Sequence, residues 1–279
     1  PLIIGKFGPH YQEVNMAWMW ARLHVRTPKL GYFVGGFQAF ADGLAEVVRQ
    51  KGGDVRLNAP VERVQQAGDG VTITTAAGDA QYDRVLATTS PHLFAKLTPD
   101  LPDSYLAGLM DLQHMSAAVM TFALKRPLFP DNATYWLNIP ANSPDKSQND
   151  IPFLALVEHT NYVDRAHYGG DHIVYCGDYV TPAHEYMQMS HEELEAKFAA
   201  ALTKINPDFS PDWIRKSWLF REPYAQPVPK LNHSRSIPAL HSPLDGIYFA
   251  SMSQVYPWDR GTNFAVEIGR KVAAEMMRR

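Results

Sequence analysis

The residue types that most often carry chemistry do not form a recognisable catalytic or metal-binding motif in this sequence. Five histidines fall within 33 residues, but none is spaced as in the zinc-binding pattern His-Glu-x-x-His: His159, His167, His172, His184 and His191. The sequence contains neither a Gly-x-Ser-x-Gly nucleophile elbow nor a phosphate-binding P-loop. We therefore expect no metal site, and residue spacing alone leaves the catalytic residues unknown.

The single cysteine, Cys176, limits the redox chemistry of the chain. One cysteine excludes a disulfide within the chain and a zinc site built from several thiolates. Cys176 lies in the β-like run HIVYCGDYV, where a small buried hydrophobic residue is the default interpretation. A nucleophilic role would need a nearby base. A low cysteine content fits a reducing compartment, so we expect a cytoplasmic protein.

The composition is typical of a globular protein and does not indicate a highly charged partner such as nucleic acid. The chain has 279 residues, of which 46% are hydrophobic and 20% charged, with a formal net charge of -3. This charge creates no field that would attract nucleic acid or an anionic membrane. No apolar run is long enough to span a bilayer. We expect a small-molecule partner, no nucleic acid and no transmembrane segment, and a homo-oligomer is an open alternative.

The first third of the chain has the hydrophobic periodicity of two helices. Apolar residues at helical spacing predict a helix over 10–26 that ends at Thr27 and Pro28. The pair Gly35-Gly36 predicts a sharp turn before a second helix that Gly52-Gly53 terminates. The apolar face of this second helix is predicted to carry Phe37, Phe40, Leu44 and Val48.

Beyond residue 54 the pattern alternates between strands and helices. Ser190 can cap one of these helices, and Glu193 stands at the capping-box position. The predicted elements are, in order, VRLNAPVERVQQ as a strand pair interrupted by Pro60, GVTITTAAG, Asp83–Thr88, helical 91–111, SAAVMTFALKRPLF, IPFLALVEHT, DHIVYCGDYVT, the Ser190 helix, Trp213–Phe220 with an extended EPYAQPVPKL, GIYFAS and a closing helix NFAVEIGRKVAAEMM. This order predicts an α/β fold, mixed with α+β character, in two interleaved domains.

Three stretches, in order and spread over most of the chain, match one family pattern. Residues 30–91 hold a Gly-Gly turn, a helix, a Gly-x-x-Val-x-Leu-x-x-x-Val-x-x-Val strand pair and an Asp-x-Val-Leu-Ala-Thr-x-x-Pro strand. The second stretch is REPYAQPV, and the third covers residues 245–276, a strand followed by an amphipathic helix. Together they resemble the flavin-containing amine oxidases, protoporphyrinogen oxidases and carotenoid desaturases.

The resemblance implies an FAD-dependent oxidoreductase in which a partial FAD-binding domain is interleaved with a substrate domain of a mixed sheet and helices. The implied segments are a substrate-domain helix at 1–31, the central part of the FAD-binding domain at 32–95, the substrate-binding domain at 96–232 and the C-terminal part of the FAD-binding domain at 233–279.

The resemblance also implies where the cofactor and the substrate lie. The residue that matches Val61 contacts the FAD adenine through its backbone, and the closing helix points its N-terminus at the isoalloxazine ring. Free N–H groups at a helix N-terminus stabilise the negative charge of a reduced flavin. The implied cofactor-binding residues are Val61, Ser251, Met252, Gly261, Thr262 and Asn263, and the implied substrate-pocket residues are Tyr224, Gln226, Tyr256 and Trp258.

These residues also have ordinary structural interpretations. Thr262 or Asn263 can be the N-cap of an amphipathic helix. Tyr256 and Trp258 can be core aromatic residues. The extended run around Tyr224 can be a linker. Residue types alone leave both interpretations open.

The dinucleotide-binding fingerprint of the family is missing from the sequence. No Gly-x-Gly-x-x-Gly, the loop that holds the dinucleotide phosphates, occurs anywhere. The chain begins at Pro1 with PLIIGKFGPHY, which resembles the middle of a domain. We therefore expect a C-terminal fragment that binds FAD weakly or not at all and is itself inactive, whereas the parent protein is an FAD enzyme.

The closing motif and the substrate-domain strand also depart from the amine oxidase pattern. Ser251, Met252 and Ser253 follow the closing strand where the family has glycine and then an acidic residue. Gly261 replaces a cage aromatic, no lysine stands at Ala118 or Val119, and the flavin-tethering cysteine is absent. These differences favour a desaturase-like or protoporphyrinogen-oxidase-like reaction on a bulky, mainly apolar substrate.

Two other functions stay open from the sequence. One is a binding or interaction module that keeps the flavoprotein fold without the cofactor, which the changed Ser251–Ser253 segment would allow. The other is a flavin-dependent mutase without net redox change. The coding sequence upstream of Pro1 would distinguish the first from an enzyme, and product analysis would distinguish the second from an oxidase.

Overall fold

The chain forms two compact units, each assembled from separate segments. The structure is a computed structural model that describes residues 1–24, 29–131 and 133–278. The first unit combines Pro1–Val14 with His114–Val228, and the second combines Asn15–Gln113 with Pro229–Arg279. Whether they bind substrate and FAD, as the resemblance implies for the four predicted segments, stays a prediction.

Helices and strands alternate along the chain, as the sequence predicts. The helices are α1 (Leu2–Phe7), α2 (Met16–His24), α3 (Gly36–Gln50), α4 (Pro91–Leu97), α5 (Asp103–Asp111), α6 (His191–Leu202), α7 (His233–Ser236) and α8 (Thr262–Met276). The strands are β1 (Val61–Ala67), β2 (Gly70–Thr75), β3 (Gly78–Tyr82), β4 (Val85–Ala87), β5 (His114–Leu124), β6 (Trp136–Asn138), β7 (Ala155–Glu158), β8 (His172–Val180), β9 (Ile214–Pro227) and β10 (Ile247–Phe249). This mixture is the predicted α/β fold.

A five-stranded antiparallel sheet is the centre of the first unit. Its strand order is β6-β7-β8-β5-β9, so β9 is an edge strand. Because side chains alternate along a strand, Met120 and Phe122 of β5 and Cys176 of β8 share one face. This face is fully buried with Phe198 and Leu202 of α6. Cys176 is thus a buried core residue, as the default interpretation expects, and burial raises the pKa of its thiol.

Helix α6 begins with the predicted capping box. The Ser190 hydroxyl accepts a hydrogen bond from the backbone N–H of Glu193 at 3.1 Å. The Glu193 carboxylate accepts one from the Ser190 backbone N–H at 2.7 Å. These bonds pair two of the backbone donors that a helix N-terminus leaves open.

The second unit contains two small sheets. Strands β1, β2 and β3 form an antiparallel meander, and β4 pairs with β10 in parallel, with Leu86 opposite Tyr248. Phe249 of β10 stacks on Phe94 of α4 at a centroid distance of 4.5 Å. Val272 of α8 is fully buried against β10. Helices α4 and α8, which are distant in sequence, therefore both pack against strand β10.

Two predicted elements have different bounds. The helix predicted over 10–26 begins only at Met16, because Asn15 is its N-cap and accepts a hydrogen bond from the Trp18 N–H at 3.0 Å. Its predicted end at Thr27 and Pro28 lies outside the described residues. The strand pair predicted over VRLNAPVERVQQ is only one strand, since Asn58 has a φ of 55° and Pro60 precedes β1.

Helix α3 follows the predicted Gly35-Gly36 turn but buries none of its residues. Both glycines have positive φ, 82° and 78°, which residues with a side chain rarely adopt. The predicted apolar face carries Phe37 and Leu44, which are 50% and 51% exposed. Periodicity predicts the helix correctly, and its apolar face is open in the described structure.

In the part of the chain that the structure describes, no helix combines the length and apolar character that crossing a bilayer requires.

Candidate functional site

The segment from β10 into α8 carries five of the six predicted cofactor residues, all except Val61. It begins at Ser251, passes through a 3-10 turn at Met252–Gln254 and ends at Gly261, which precedes α8. Gly261 has extended backbone, and its carbonyl accepts the Ala265 N–H at 2.9 Å. Thr262 and Asn263 open the helix, and both side chains are exposed.

The N-terminus of α8 presents its backbone donors without a competing group of its own. Among the described residues, no side chain caps this terminus, and its first turn contains no acidic residue. Thr262 and Asn263 are therefore not the N-cap that the ordinary interpretation gives them, because Gly261 occupies that position. Open N–H groups and the positive end of the helix dipole suit an anionic or electron-rich ligand.

The serines of the closing motif are buried and hydrogen-bonded within their own turn. Ser251 and Ser253 are 6% and 2% exposed, and their hydroxyls lie 2.7 Å apart. Ser251 also forms a capping box with Gln254, whose side chain accepts the Ser251 N–H at 2.6 Å. Met252 between them is only half-buried. The two hydroxyls thus support the turn itself.

Aromatic side chains line a cavity of about 290 Å³ beside this turn. Two of the predicted substrate-pocket residues, Tyr256 and Trp258, contribute to it, together with Phe264 and Ile268 of α8. The Trp258 and Phe264 rings are parallel, with a 6.3 Å centroid distance. Trp258 also contacts Trp20 of α2 at 6.5 Å. Gln254, Glu267 and Lys271 also line this cavity, so aromatic and polar groups share its wall. A concave site that combines apolar and polar groups is typical of small-molecule binding.

Asn15 fixes the position of Tyr256. The Asn15 amide donates to the carbonyls of Pro229 and Lys230 at 2.9 and 2.8 Å, and Asn15 is only 8% exposed. Its Oδ1 accepts a hydrogen bond from the Tyr256 hydroxyl at 3.3 Å. His233 packs against the Tyr256 ring at 5.2 Å, and burial lowers the pKa of His233, so this imidazole is neutral near pH 7.

Val61 lies apart from that segment along the chain, at the start of β1. It is 37% exposed, and the β1–β2 register shifts between Val61 and Arg63. Such an irregularity leaves backbone groups outside the regular ladder. Its predicted contact with adenine stays a prediction.

The other two predicted substrate-pocket residues belong to the first unit. Tyr224 and Gln226 lie near the end of β9, and Gln226 is 2% exposed. The Tyr224 ring packs against His114 of β5 at a centroid distance of 4.8 Å. His114 could not be predicted as a neighbour of Tyr224, because the two residues are 110 positions apart in the chain.

Asn15 and Trp20, which also contribute to the site, were not among the predicted residues. An asparagine immediately before an apolar helical run is an N-cap signal, so Asn15 was detectable. Trp20 carried no such signal, since its contact with Trp258 joins distant parts of the sequence.

The clustered histidines take part in separate local contacts. His159 bonds the Tyr168 hydroxyl at 2.7 Å, His172 lies 3.1 Å from the Arg165 guanidinium, and His191 bonds the Ser217 hydroxyl at 2.6 Å. Across residues 1–24, 29–131 and 133–278, no three histidine, cysteine or acidic side chains are grouped as metal ligands.

Several solved structures have the same fold. A candidate protoporphyrinogen oxidase from Exiguobacterium sp. 255-15 is 17% identical over 96% of this chain, with a TM-score of 0.72. A putrescine oxidase bound to putrescine is 18% identical over 88% of the chain, with a TM-score of 0.62. A reduced UDP-galactopyranose mutase is 16% identical over 73%, with a TM-score of 0.58. The chain spans 58%, 54% and 43% of their respective lengths.

No curated protein sequence matches the chain. The model of the flavin containing amine oxidoreductases, by contrast, matches residues 10–277. The match covers both compact units, the segment from β10 into α8 and the cavity beside it. The shared fold agrees with the three stretches from which the resemblance was drawn. This chain therefore belongs to the flavin containing amine oxidoreductase family.

Proposed function

We propose that the parent protein is an FAD-dependent oxidoreductase that removes a hydride from a bulky, mainly apolar small molecule. The observation that carries the proposal is the open N-terminus of α8, which directly follows the Ser251–Gly261 segment and adjoins the aromatic cavity. FAD, when bound, supplies the hydride acceptor. The residues of this chain orient it and keep water from the reacting atoms.

The described residues fit the flavin ring of FAD better than its diphosphate. Thr262 and Asn263 open a helix whose N–H groups can face the electron-rich edge of a flavin. Val61, Ser251, Met252 and Gly261 are the further proposed contacts. The sequence has no glycine-rich loop for the diphosphate. We therefore propose that the 279 residues alone hold FAD weakly and do not turn over.

The apolar substrate class rests on the resemblance and on the aromatic part of the cavity wall, whose other part carries Gln254, Glu267 and Lys271. Tyr256 and Trp258 line it with Phe264, Val255 and Leu240. Large aromatic surfaces favour ligands with much apolar area, because burial of that area removes it from water. Tyr224 and Gln226, in the other unit, are proposed as further substrate contacts on the resemblance alone.

An alternative proposal is a binding module that has kept the fold and lost the cofactor. The specific observation in its favour is the hydrogen bond between the Ser251 and Ser253 hydroxyls. Because these hydroxyls bond each other, they are less available to bind a cofactor. A flavin-dependent mutase is the other alternative, since the fold is shared with such an enzyme.

The deciding experiment compares two preparations for flavin content. The protein encoded by the whole native gene, with any upstream coding sequence, is purified and its flavin absorbance measured. The 279-residue chain is titrated with FAD under the same conditions. We expect a yellow whole-gene product and weak FAD binding by the 279-residue chain. A colourless whole-gene product that cannot be loaded with FAD would favour the binding module.

If the product is yellow, incubation with candidate substrates separates an oxidoreductase from a mutase. Net reduction of the flavin by a substrate supports the oxidoreductase, whereas isomerised product without net reduction supports the mutase.

A further inference from the structure

A second cavity, of about 350 Å³, lies entirely within the first unit. It is situated where β5 begins and β8 ends, next to the turn that follows α1. Its apolar wall includes Pro9, Met115, Pro144 and Val180, and its polar lining includes Lys146 and His184. This cavity shares no residue with the one beside α8. A concave, mostly apolar space with a few polar groups is the usual form of a small-molecule site.

Lys146 is a buried lysine that lines this cavity. Its side chain is only 8% exposed, although lysine is one of the residues least often buried. Its ammonium group donates to Asp178 Oδ1 at 2.7 Å and to the Gly5 carbonyl at 2.9 Å. These bonds use two of the three N–H groups of a lysine ammonium. Lys146 lines the cavity, and these two contacts hold its ammonium group in a fixed place.

Asp178 balances the Lys146 charge only in part near neutral pH. Its side chain is 1% exposed, and burial raises the pKa of Asp178 to about 7 against the lowering effect of Lys146. The carboxyl therefore takes up a proton around neutrality, which removes the negative charge beside Lys146. A ligand that carries negative charge can take the place of the lost counter-charge.

The other ionisable groups around Lys146 do not provide that counter-charge. Lys6, which follows Gly5, is also buried, and its ammonium nitrogen lies 5.5 Å from the centroid of the Tyr179 ring. His184 accepts the Tyr186 N–H at its Nδ1, so its proton is on Nε2, and burial lowers the pKa of His184. Burial, with a smaller contribution from Asp178, raises the pKa of Tyr186. Glu185 is paired with Lys197 at 2.6 Å.

Among the described residues, Asp145 is the one carboxylate that lines the cavity, and it is exposed. Its oxygens accept bonds from Ser147 and Gln148 in the next turn, at distances of 2.8 to 3.1 Å. It therefore lies in high-dielectric surroundings, where its repulsion of a buried ligand charge is strongly reduced.

We infer that this cavity binds a small molecule with an apolar body and one carboxylate, which the Lys146 ammonium anchors. A bond between two charged groups is stronger than one between neutral groups. An amine would instead meet the ammonium as a like charge. The apolar wall at Met115 and Val180 takes the body of the ligand. Its lining residues include none of the cofactor or substrate residues proposed above.

Phenylacetate is a suitable probe because phenylacetamide and phenethylamine share its ring and differ in charge. Calorimetric titration of the 279-residue chain is expected to show one phenylacetate site, with both analogues at least about tenfold weaker. Equal binding of the acid and the amide would overturn the inference, as would absence of phenylacetate binding.

Two variants and a pH series identify the anchoring group. Lys146→Met is expected to abolish phenylacetate binding, whereas Lys125→Met, at an exposed lysine of the same unit, is expected to leave it unchanged. Asp178→Asn keeps the ammonium and removes its counter-charge, so binding at pH 8 is expected to tighten several-fold. Wild-type affinity is expected to rise from pH 8 to pH 6, and that of Asp178→Asn to stay constant.

If Lys146→Met does not fold, the Asp178→Asn variant and the wild-type pH series still test whether Lys146 anchors the ligand. Weaker phenylacetate binding by Asp178→Asn at pH 8, or a wild-type affinity that falls with decreasing pH, contradicts the proposed anchor.

Discussion

Asp178 illustrates how burial can outweigh an ion pair at a single residue. Lys146 lies 2.7 Å away and favours the carboxylate, yet the pKa of Asp178 is raised to about 7 because the group is completely buried. The raised value means that the folded protein binds this proton more tightly than the unfolded chain does. Folding and protonation at Asp178 are therefore coupled.

The coupling predicts the direction of a pH effect on stability. Between the ordinary pKa of 3.8 and about 7, the contribution of Asp178 to the free energy of unfolding decreases as pH rises. Urea unfolding of wild type and Asp178→Asn across pH 4 to 8 isolates this contribution, because the other groups are common to both. We expect wild type to lose stability relative to the variant as pH increases; the opposite slope would contradict the pKa shift.

Asn263 allows a test of the open helix terminus with two opposite effects. Asn263→Asp places a carboxylate in the first turn of α8, which is expected to stabilise the helix by about 0.3–1 kcal/mol. The same charge is expected to weaken FAD binding, because it competes for the N–H groups and repels the reduced flavin. Thermal unfolding and FAD titration measure the two effects.

Asn142→Asp is the matched control for that change, since Asn142 is exposed and lies outside any helix. It is expected to alter neither quantity. FAD affinity that is unchanged in Asn263→Asp would remove the helix terminus from the proposed cofactor site.

Ser190 has a single, well-defined role at its position. Ser190→Ala removes the hydroxyl that accepts the Glu193 N–H, and the expected loss is about 1 kcal/mol of unfolding free energy. Ser104→Ala, in the exposed first turn of α5, is the control and is expected to change stability by less than about 0.5 kcal/mol. Equal losses in the two variants would argue against the capping box as the cause.

At the scale of elements, α3 and α6 are amphipathic helices in different surroundings. Leu194 of α6 is completely buried, whereas Leu44 of α3 is 51% exposed. Leu194→Ala is expected to cost about 2–5 kcal/mol, because it removes buried methyl groups and leaves a cavity. Leu44→Ala is expected to stay within about 0.5 kcal/mol of wild type. Chemical denaturation measures the free energy of unfolding of both variants, so the two helices are compared through the same Leu→Ala substitution.

A large loss in Leu44→Ala would mean that the apolar face of α3 is covered in solution. The measurement is therefore also a test of the surroundings of this helix.

Strong periodicity predicted α6, β5, β8 and α8 because their core-facing residues repeat at 3.6 or 2 positions. Strand β9 was predicted as a strand followed by an extended segment, but it is one strand over Ile214–Pro227. Pro223 and Pro227 account for the difference. Proline is excluded from central strands but tolerated at an edge, and the edge position of β9 depends on the sheet order.

At the scale of the whole molecule, the segments of each unit are distant in sequence. Pro1–Val14 joins a sheet that begins a hundred residues later, and Pro229–Arg279 joins β4 and α2. Periodicity reports which face of an element is apolar but not which other element covers it. For this reason the family motifs indicated the segment from β10 into α8, whereas the Lys146–Asp178 pair and the Trp20–Trp258 contact could not be predicted.

The open face of α3 has a practical consequence for experiments on this protein. Phe33, Phe37, Leu44 and Val47 are each at least 41% exposed in the folded chain. Dyes such as anilinonaphthalene sulfonate fluoresce on apolar surface of this kind, which is why they are used to detect molten globules. We expect the native protein to give dye fluorescence as well. Loss of tertiary packing should therefore be followed by near-ultraviolet circular dichroism of its six tryptophans.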